Sequence, residues 1–218
     1  MFGEAVAPGL ARWVAPHPEW RPDSGGAGGW ERDVACLWLE HGDGVTLIDP
    51  LSPEGAEGER FWAALEDRDV TVLLTVVFHL RSAPELRERG AAVLALPGAL
   101  GDLDLATASF ADGDTLPGGV VVVAPVPSAG EQEAAFWLPE QRALAVGDVL
   151  VGAPDGLRVW FQPEFGDTEA DLRERVLPFV DRLSELPVER VLVPHGVPVT
   201  EGGQAALRAA RDAPVWQH

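Results

Sequence analysis

From Val70 to Phe78 the chain sets nine consecutive apolar or β-branched residues, VTVLLTVVF, with no charge, glycine or proline among them. Such a run reads as a strand that must be largely buried, so the fold has to cover it. Residues 33–40 and 45–48 carry apolar side chains around the turn His41-Gly42-Asp43-Gly44, a hairpin that ends on Asp49-Pro50 and leaves a carboxylate at a strand's end. Ser52-Pro53-Glu54 starts a helix whose Phe61, Trp62 and Leu65 face a core, and Ser82-Ala83-Pro84-Glu85 caps a short helix closing at Gly90. Residues 91–96 repeat the strand signal. Residues 120–126, 134–138 and 143–146 form a meander, with 139–142 as one turn. Asp167 or Thr168 can cap a helix that carries Leu172, Val176, Val180 and Leu183 on one face and is kinked by Pro178; residues 191–193 then lead into Pro194-His195-Gly196, and a last helix covers 202–212. Helices before and after two sets of strands predict an α+β fold, with two sheets packed face to face and helices outside.

With 218 residues and no internal period, the chain is expected to form one domain over 1–218, the Pro- and Gly-rich stretch 16–29 being a surface loop. A chain of this length buries roughly 70% of its unfolded surface, so its stability requires neither disulfide nor structural metal. Sixteen basic residues against 35 acidic ones leave a net charge of −19, which repels phosphodiester backbones and anionic headgroups. The expected partner is therefore a small-molecule ligand or substrate, not nucleic acid or membrane. All the basic residues are Arg and Tyr is absent, which removes Lys Schiff bases, Lys-dependent phosphate loops and phenolic acids. The lone Cys36 lies in an apolar alternation and reads as a buried structural thiol. Without a signal-like start or an 18-residue apolar stretch, the expected location is cytoplasmic.

Five phrases, in order, resemble the metallo-β-lactamase superfamily: Val45-Thr46-Leu47-Ile48-Asp49-Pro50, Val72-Leu73-Leu74-Thr75, Ala135-Phe136-Trp137-Leu138-Pro139-Glu140, Val146-Gly147-Asp148 and Val193-Pro194-His195-Gly196. The resemblance implies a four-layer αββα sandwich with one metal-binding cleft at the strand ends. It also implies His-x-His-x-Asp-His after the second phrase, feeding two zinc ions, and here most of that cluster is replaced. With one inserted residue after Thr75, His79 matches the second His, while Val77, Arg81 and Ser82 stand for the first His, the Asp and the last His. Without the insertion His79 falls between ligand positions and points away, so two registers are open. A further family His corresponds to Ala129. Asp148 matches the carboxylate shared by both metals, His195 the last His, and Asp49 a strand-end residue that supports the ligands.

The resemblance thus leaves His79 with Asp148 for one ion and Asp148 with His195 for the other, short of the three protein ligands of a catalytic zinc. The implied function is a metallo-β-lactamase-fold protein with a depleted centre and no cofactor, acting as a small-molecule-binding, regulatory or structural module. The alternative is a hydrolase of small ester, thioester or lactone substrates. It would use one zinc, iron or manganese ion on His79, Asp148 and His195, with Glu131, Glu133 or Asp167 helping and Arg81 steadying an oxyanion. In the depleted centre Asp148 needs a counter-charge, and Arg81 is expected to supply it. Two opposite charges at 4 Å attract by about 4 kcal/mol at an effective dielectric of 20.

Other residues carry weaker expectations. Ser82 could complete a triad with His79 and Asp148, but reads better as a helix cap. His17, His41 and His218 sit in loops or at the end and are assigned no chemistry. Trp13, Trp20, Trp30, Trp160 and Phe161 could line an aromatic cleft, most of them being packing residues.

Overall fold

The computed structural model describes residues 1–22, 31–97, 105–128, 131–161, 163 and 166–216. In chain order the elements are β1 (Glu4–Ala7), β2 (Leu10–Pro16), β3 (Asp33–His41), β4 (Gly44–Ile48), α1 (Gly55–Leu65), β5 (Asp69–Leu73), α2 (Ala83–Glu88), β6 (Ala92–Ala95), β7 (Ala108–Ser109), β8 (Thr115–Leu116), β9 (Val120–Ser128), β10 (Glu131–Leu138), β11 (Ala143–Ala145), β12 (Leu150–Ala153), β13 (Gly156–Val159), α3 (Glu169–Asp171), α4 (Leu177–Glu185), β14 (Arg190–Leu192) and α5 (Gly203–Asp212). Strands β1 to β7 form one sheet in sequence order, β14-β11-β10-β9-β8 form the second, and β12-β13 are a separate hairpin.

Three apolar clusters define the layers. Leu37, Leu39, Ile48 and Leu73 of the first sheet meet Val120, Val122, Phe136 and Leu138 of the second between the sheets. The outer face of the first sheet packs on Phe61 and Leu65 of α1 and Ala83 and Leu86 of α2. That of the second packs on Phe179, Val180 and Leu183 of α4 and Leu207 and Ala210 of α5. The order is helix, sheet, sheet, helix: the expected αββα sandwich. Fully burying an aromatic such as Phe61, ringed by Phe2, Trp13, Trp38 and Trp62, contributes about 2–3 kcal/mol.

The expected hairpin β3–β4, the helices α1 and α2 and the meander β9–β11 all form. Thr168 is the cap of the next helix, its Oγ1 accepting from Asp171 N. Pro178 acts through a π-helical turn at Leu172–Val176, where the Leu177 N–H bonds back to the Leu172 carbonyl. The run 70–78 departs from expectation. Its strand stops at Leu73, a 3₁₀ turn takes Val77–His79, and Phe78 is 63% exposed. The cause is polar: Thr75 donates its N–H and its hydroxyl to the two oxygens of the Asp49 carboxylate, which pulls the backbone out of the sheet. Strands β1, β2, β7, β8, β12 and β13 have no counterpart in the sequence reading. Trp13, a candidate for lining an aromatic cleft, is instead a packing residue on β2, buried and donating to the Leu51 carbonyl.

Parallel pairing decides where chemistry can collect. β4 pairs parallel with β5, and β11 pairs parallel with β14. The C-terminal ends of these strands deliver Asp49, the Thr75–His79 turn, Asp148 and His195 to one rim of the two sheets, where strand-end loops form sites.

Candidate metal centre

Asp49 begins the site. It is 3% exposed and takes a positive φ of 49°, which Asp tolerates better than most residues. Besides Thr75, its Oδ2 accepts from His79 Nδ1 at 2.8 Å. That bond gives the His79 ring its orientation: with Nδ1–H spent on Asp49, Nε2 faces the centre. It stands 3.3 Å from Asp148 Oδ1, and His195 Nε2 stands 3.4 Å from the same oxygen. The three donor atoms lie within 4.8 Å of one another. The register that brings His79 inward is the one the chain adopts.

These donors fit a single ion. Two ligands at about 2.0–2.1 Å on a tetrahedral ion stand about 3.3–3.4 Å apart, the separation found here. Both imidazole nitrogens thus close on the one buried oxygen, Asp148 Oδ1, from two sides. Gly147 is required beside it. A Cβ there would come within 2.8 Å of both Glu133 Oε1 and Thr75 Oγ1.

The charges are uneven. Burial and Arg81 work to depress the His79 pKa, but Asp148 and Asp49 outweigh them and raise it to about 9. Burial opposes ionisation of Asp148, yet His79 and His195 hold it well below the usual carboxylate range. His195 is lowered, burial outweighing Asp148. Metal-free at neutral pH, the centre is therefore an imidazolium flanked by two carboxylates, beside a neutral imidazole.

The expected Arg81–Asp148 pair does not form. Among the described residues the basic groups within 4 Å of Asp148 are His79 and His195, whereas Arg81 Nη1 donates to the carbonyls of Asp49 at 2.8 Å and Ala35 at 3.0 Å. The guanidinium is spent on two backbone carbonyls, one in β3 and one just after β4, and the basic groups beside Asp148 are imidazoles already in place. The same clasp holds Arg81 at a φ of 38°, uncommon for Arg. Arg81→Met is expected to cost about 2–3 kcal/mol in urea denaturation, because two carbonyls lose their donor. A cost below 1 kcal/mol would contradict the clasp.

Ser82 also differs. It occupies the cap position of α2 without capping it, and its Oγ accepts from Ser52 N and pairs with Ser52 Oγ, away from His79. Cys36 is buried, as expected, and burial pushes its thiol up to about 11. Trp160 packs edge-on against His195 at 5.1 Å. Glu133 is 1% exposed beneath the centre; its Oε1 accepts from Val149 N, and burial with the charge of Asp148 raises it to about 8. It supports the Asp148 loop and is not among the converging donors. Asp167 is not among them either. Ala129, Trp30, His218 and the side chain of Glu131 lie outside the described residues. His17 stands after β2, where burial, then Arg81, lowers its pKa, with His79 and His195 also contributing. The sequence could have flagged it only once β2 was known to end at this rim.

No protein-family model matches the sequence, and no curated protein matches it. Solved structures do. A metallo-β-lactamase family protein from Thermus thermophilus, TTHA1429, superposes with a TM-score of 0.67 at 20% identity over 95% of this chain and 79% of that one. The DIM-1 metallo-β-lactamase gives 0.71 at 16% over 95% and 93%, and FIM-1 from Pseudomonas aeruginosa, in its mono-zinc form, 0.67 at 14% over 97% and 94%. The chain has the metallo-β-lactamase fold.

Proposed function

We propose that this chain is a hydrolase of small ester, thioester or lactone substrates whose centre holds one divalent ion, zinc, iron or manganese, on His79, Asp148 and His195. The observation that carries the reading is the convergence of Nε2, Oδ1 and Nε2 at ligand spacing. One group of three such donors occurs among the described residues, which supports a one-ion centre over a two-ion one. FIM-1, similar in fold, was determined in a mono-zinc form.

A bound ion supplies Lewis acidity and a water whose pKa falls toward 7. The chain's own residues supply position. Asp49 fixes the tautomer and angle of His79, Trp160 packs against the His195 ring, and Glu133 with Gly147 shapes the turn carrying Asp148. Arg81 keeps the Asp49 turn closed on β3.

A second reading has its own observation. The raised pKa of His79 puts a proton where the ion would sit, so a metal-free module for binding small molecules is electrostatically self-consistent. Elemental analysis and zinc titration calorimetry separate the two. The hydrolase reading expects one zinc per chain, loss of at least 100-fold in affinity for His79→Ala and His195→Ala, and chelator-sensitive turnover of simple esters. No binding at millimolar zinc would sink it in favour of the module.

Neither reading involves a membrane span: among the described residues no helix is long and apolar enough to cross one. The acidic charge of −19 favours uncharged or cationic substrates over phosphodiesters.

A further inference from the structure

Among the described residues four large apolar side chains are exposed: Met1 at the terminus, Val14 at 45%, Phe78 at 63% and Val197 at 69%. Single exposed apolar residues need no explanation, but these three internal ones share a neighbourhood. Phe78 immediately precedes His79, and Val197 follows His195-Gly196. Val14 lies on the same face of β2 as Arg12, two residues away, and Arg12 Nη2 reaches the Gly196 carbonyl at 3.4 Å. Its cross-strand partner Ala35 bonds through N–H to the Pro194 carbonyl and through its own carbonyl to Arg81. The backbone positions of all three therefore border the rim that carries the converging donors.

From this placement we propose that the centre takes substrates whose hydrolysable carbonyl bears an apolar acyl or aryl arm, received by Val14, Phe78 and Val197. The proposal rests on the one-ion hydrolase reading and names its substrate class. An occupant of this rim has to be amphipathic, with a polar head at His79, Asp148 and His195 and an apolar tail on the surrounding side chains. Three side chains offer at most a few hundred Å², well under the roughly 800 Å² per partner of a stable protein interface, so a small molecule fits better than a second protein. The surface charge of −19 gives no complement to a polyanionic tail.

The test is a p-nitrophenyl ester series from acetate to octanoate, hydrolysed by zinc-loaded protein and by the triple variant Val14→Ser, Phe78→Ser, Val197→Ser, with melting temperatures checking that both are folded. Each buried methylene is worth up to about fourfold. The octanoate-to-acetate ratio of kcat/KM is expected to exceed about 100 in the parent and to fall at least tenfold in the variant. A ratio near one, or an equal ratio in both proteins, overturns the proposal. If no ester is turned over at all, the hydrolase reading has failed, and calorimetry with octanoate and acetate then decides the rim by itself. At least tenfold tighter octanoate binding, lost in the triple variant, upholds it; equal binding overturns it. A dimer in sedimentation that the triple variant dissociates would assign the patch to a second copy and also overturn it.

Discussion

Asp49→Ala is expected to lower folding stability by about 3–5 kcal/mol, the largest loss for any single substitution at the rim. One carboxylate, 3% exposed, satisfies the Thr75 N–H, the Thr75 hydroxyl and His79 Nδ1. Truncation strands all of them, and the imidazolium loses one of its two counter-charges while remaining buried. The turn that ends β5 at Leu73 depends on the same carboxylate, so the damage reaches the backbone. Ala also lacks the ease with which Asp adopts the φ of 49°. Asp49→Asn keeps an acceptor for Thr75 N–H and should lose about half as much. For zinc, removing the partner that orients a ligating His is expected to weaken binding about 10–100-fold. Urea unfolding in chelator measures the first effect and zinc calorimetry of the Asn variant the second. A loss below about 1 kcal/mol for the Ala variant would show that Asp49 does not organise the rim.

That turn also marks where sequence reading stops. The hairpin β3–β4, the helix bearing Phe61 and Leu65, and the meander β9–β11 were legible because their apolar periodicity matches the face they bury. β2 was not, since Leu10–Pro16 alternates small Ala with an exposed Val14 and an Arg12 held by a distant carbonyl. The end of β5 was not either, because VTVLLTVVF is apolar throughout and only a carboxylate 26 residues earlier makes it turn. At the site, His79, Asp148 and His195 were visible as strand-end polar residues within a family pattern. The partner of Asp148 was not. Charge arithmetic points equally to a guanidinium or an imidazolium, and the choice lies in which carbonyls Arg81 finds first, a matter of three-dimensional neighbours. Glu133, a candidate helper for the ion, instead accepts from Val149 N close beside Gly147, a partnership that no spacing in the chain announces.

The metal-free protein is expected to lose stability on going from pH 5 to pH 8, against the common trend of carboxylate-rich proteins, and Glu133→Gln is expected to remove most of that slope. The ordinary Glu pKa is 4.5, and burial with Asp148 raises it to about 8 in the folded chain. Between those values the native state holds a proton that the unfolded state has released, so stability is full below about 4.5 and is lost as pH rises toward 8. The linkage amounts to on the order of 5 kcal/mol for one fully buried carboxyl. His79 acts in the same direction in a later window, because its pKa rises from 6.5 to about 9: its stabilisation is full below 6.5 and lost as pH rises through 9. Asp148 acts oppositely, its lowered pKa giving stability that is lost as pH falls below the ordinary value of 3.8. The metal-free optimum therefore lies on the acid side of neutrality. Gln keeps an acceptor for Val149 N and carries no titrating proton, so its stability should not fall between pH 5 and 6.5, where the lowered pKa values of His195 and His17 instead favour a rise with pH, and should decline above 6.5 through His79. Urea titrations in chelator at half-unit pH steps measure both proteins. A parent whose stability stays level or rises over this range, or a Gln variant that keeps the parent's slope below pH 6.5, would remove the neutral Glu133 from the account. With zinc the trend should invert, since ligating His79 requires its Nε2 proton to leave, and affinity then grows with pH.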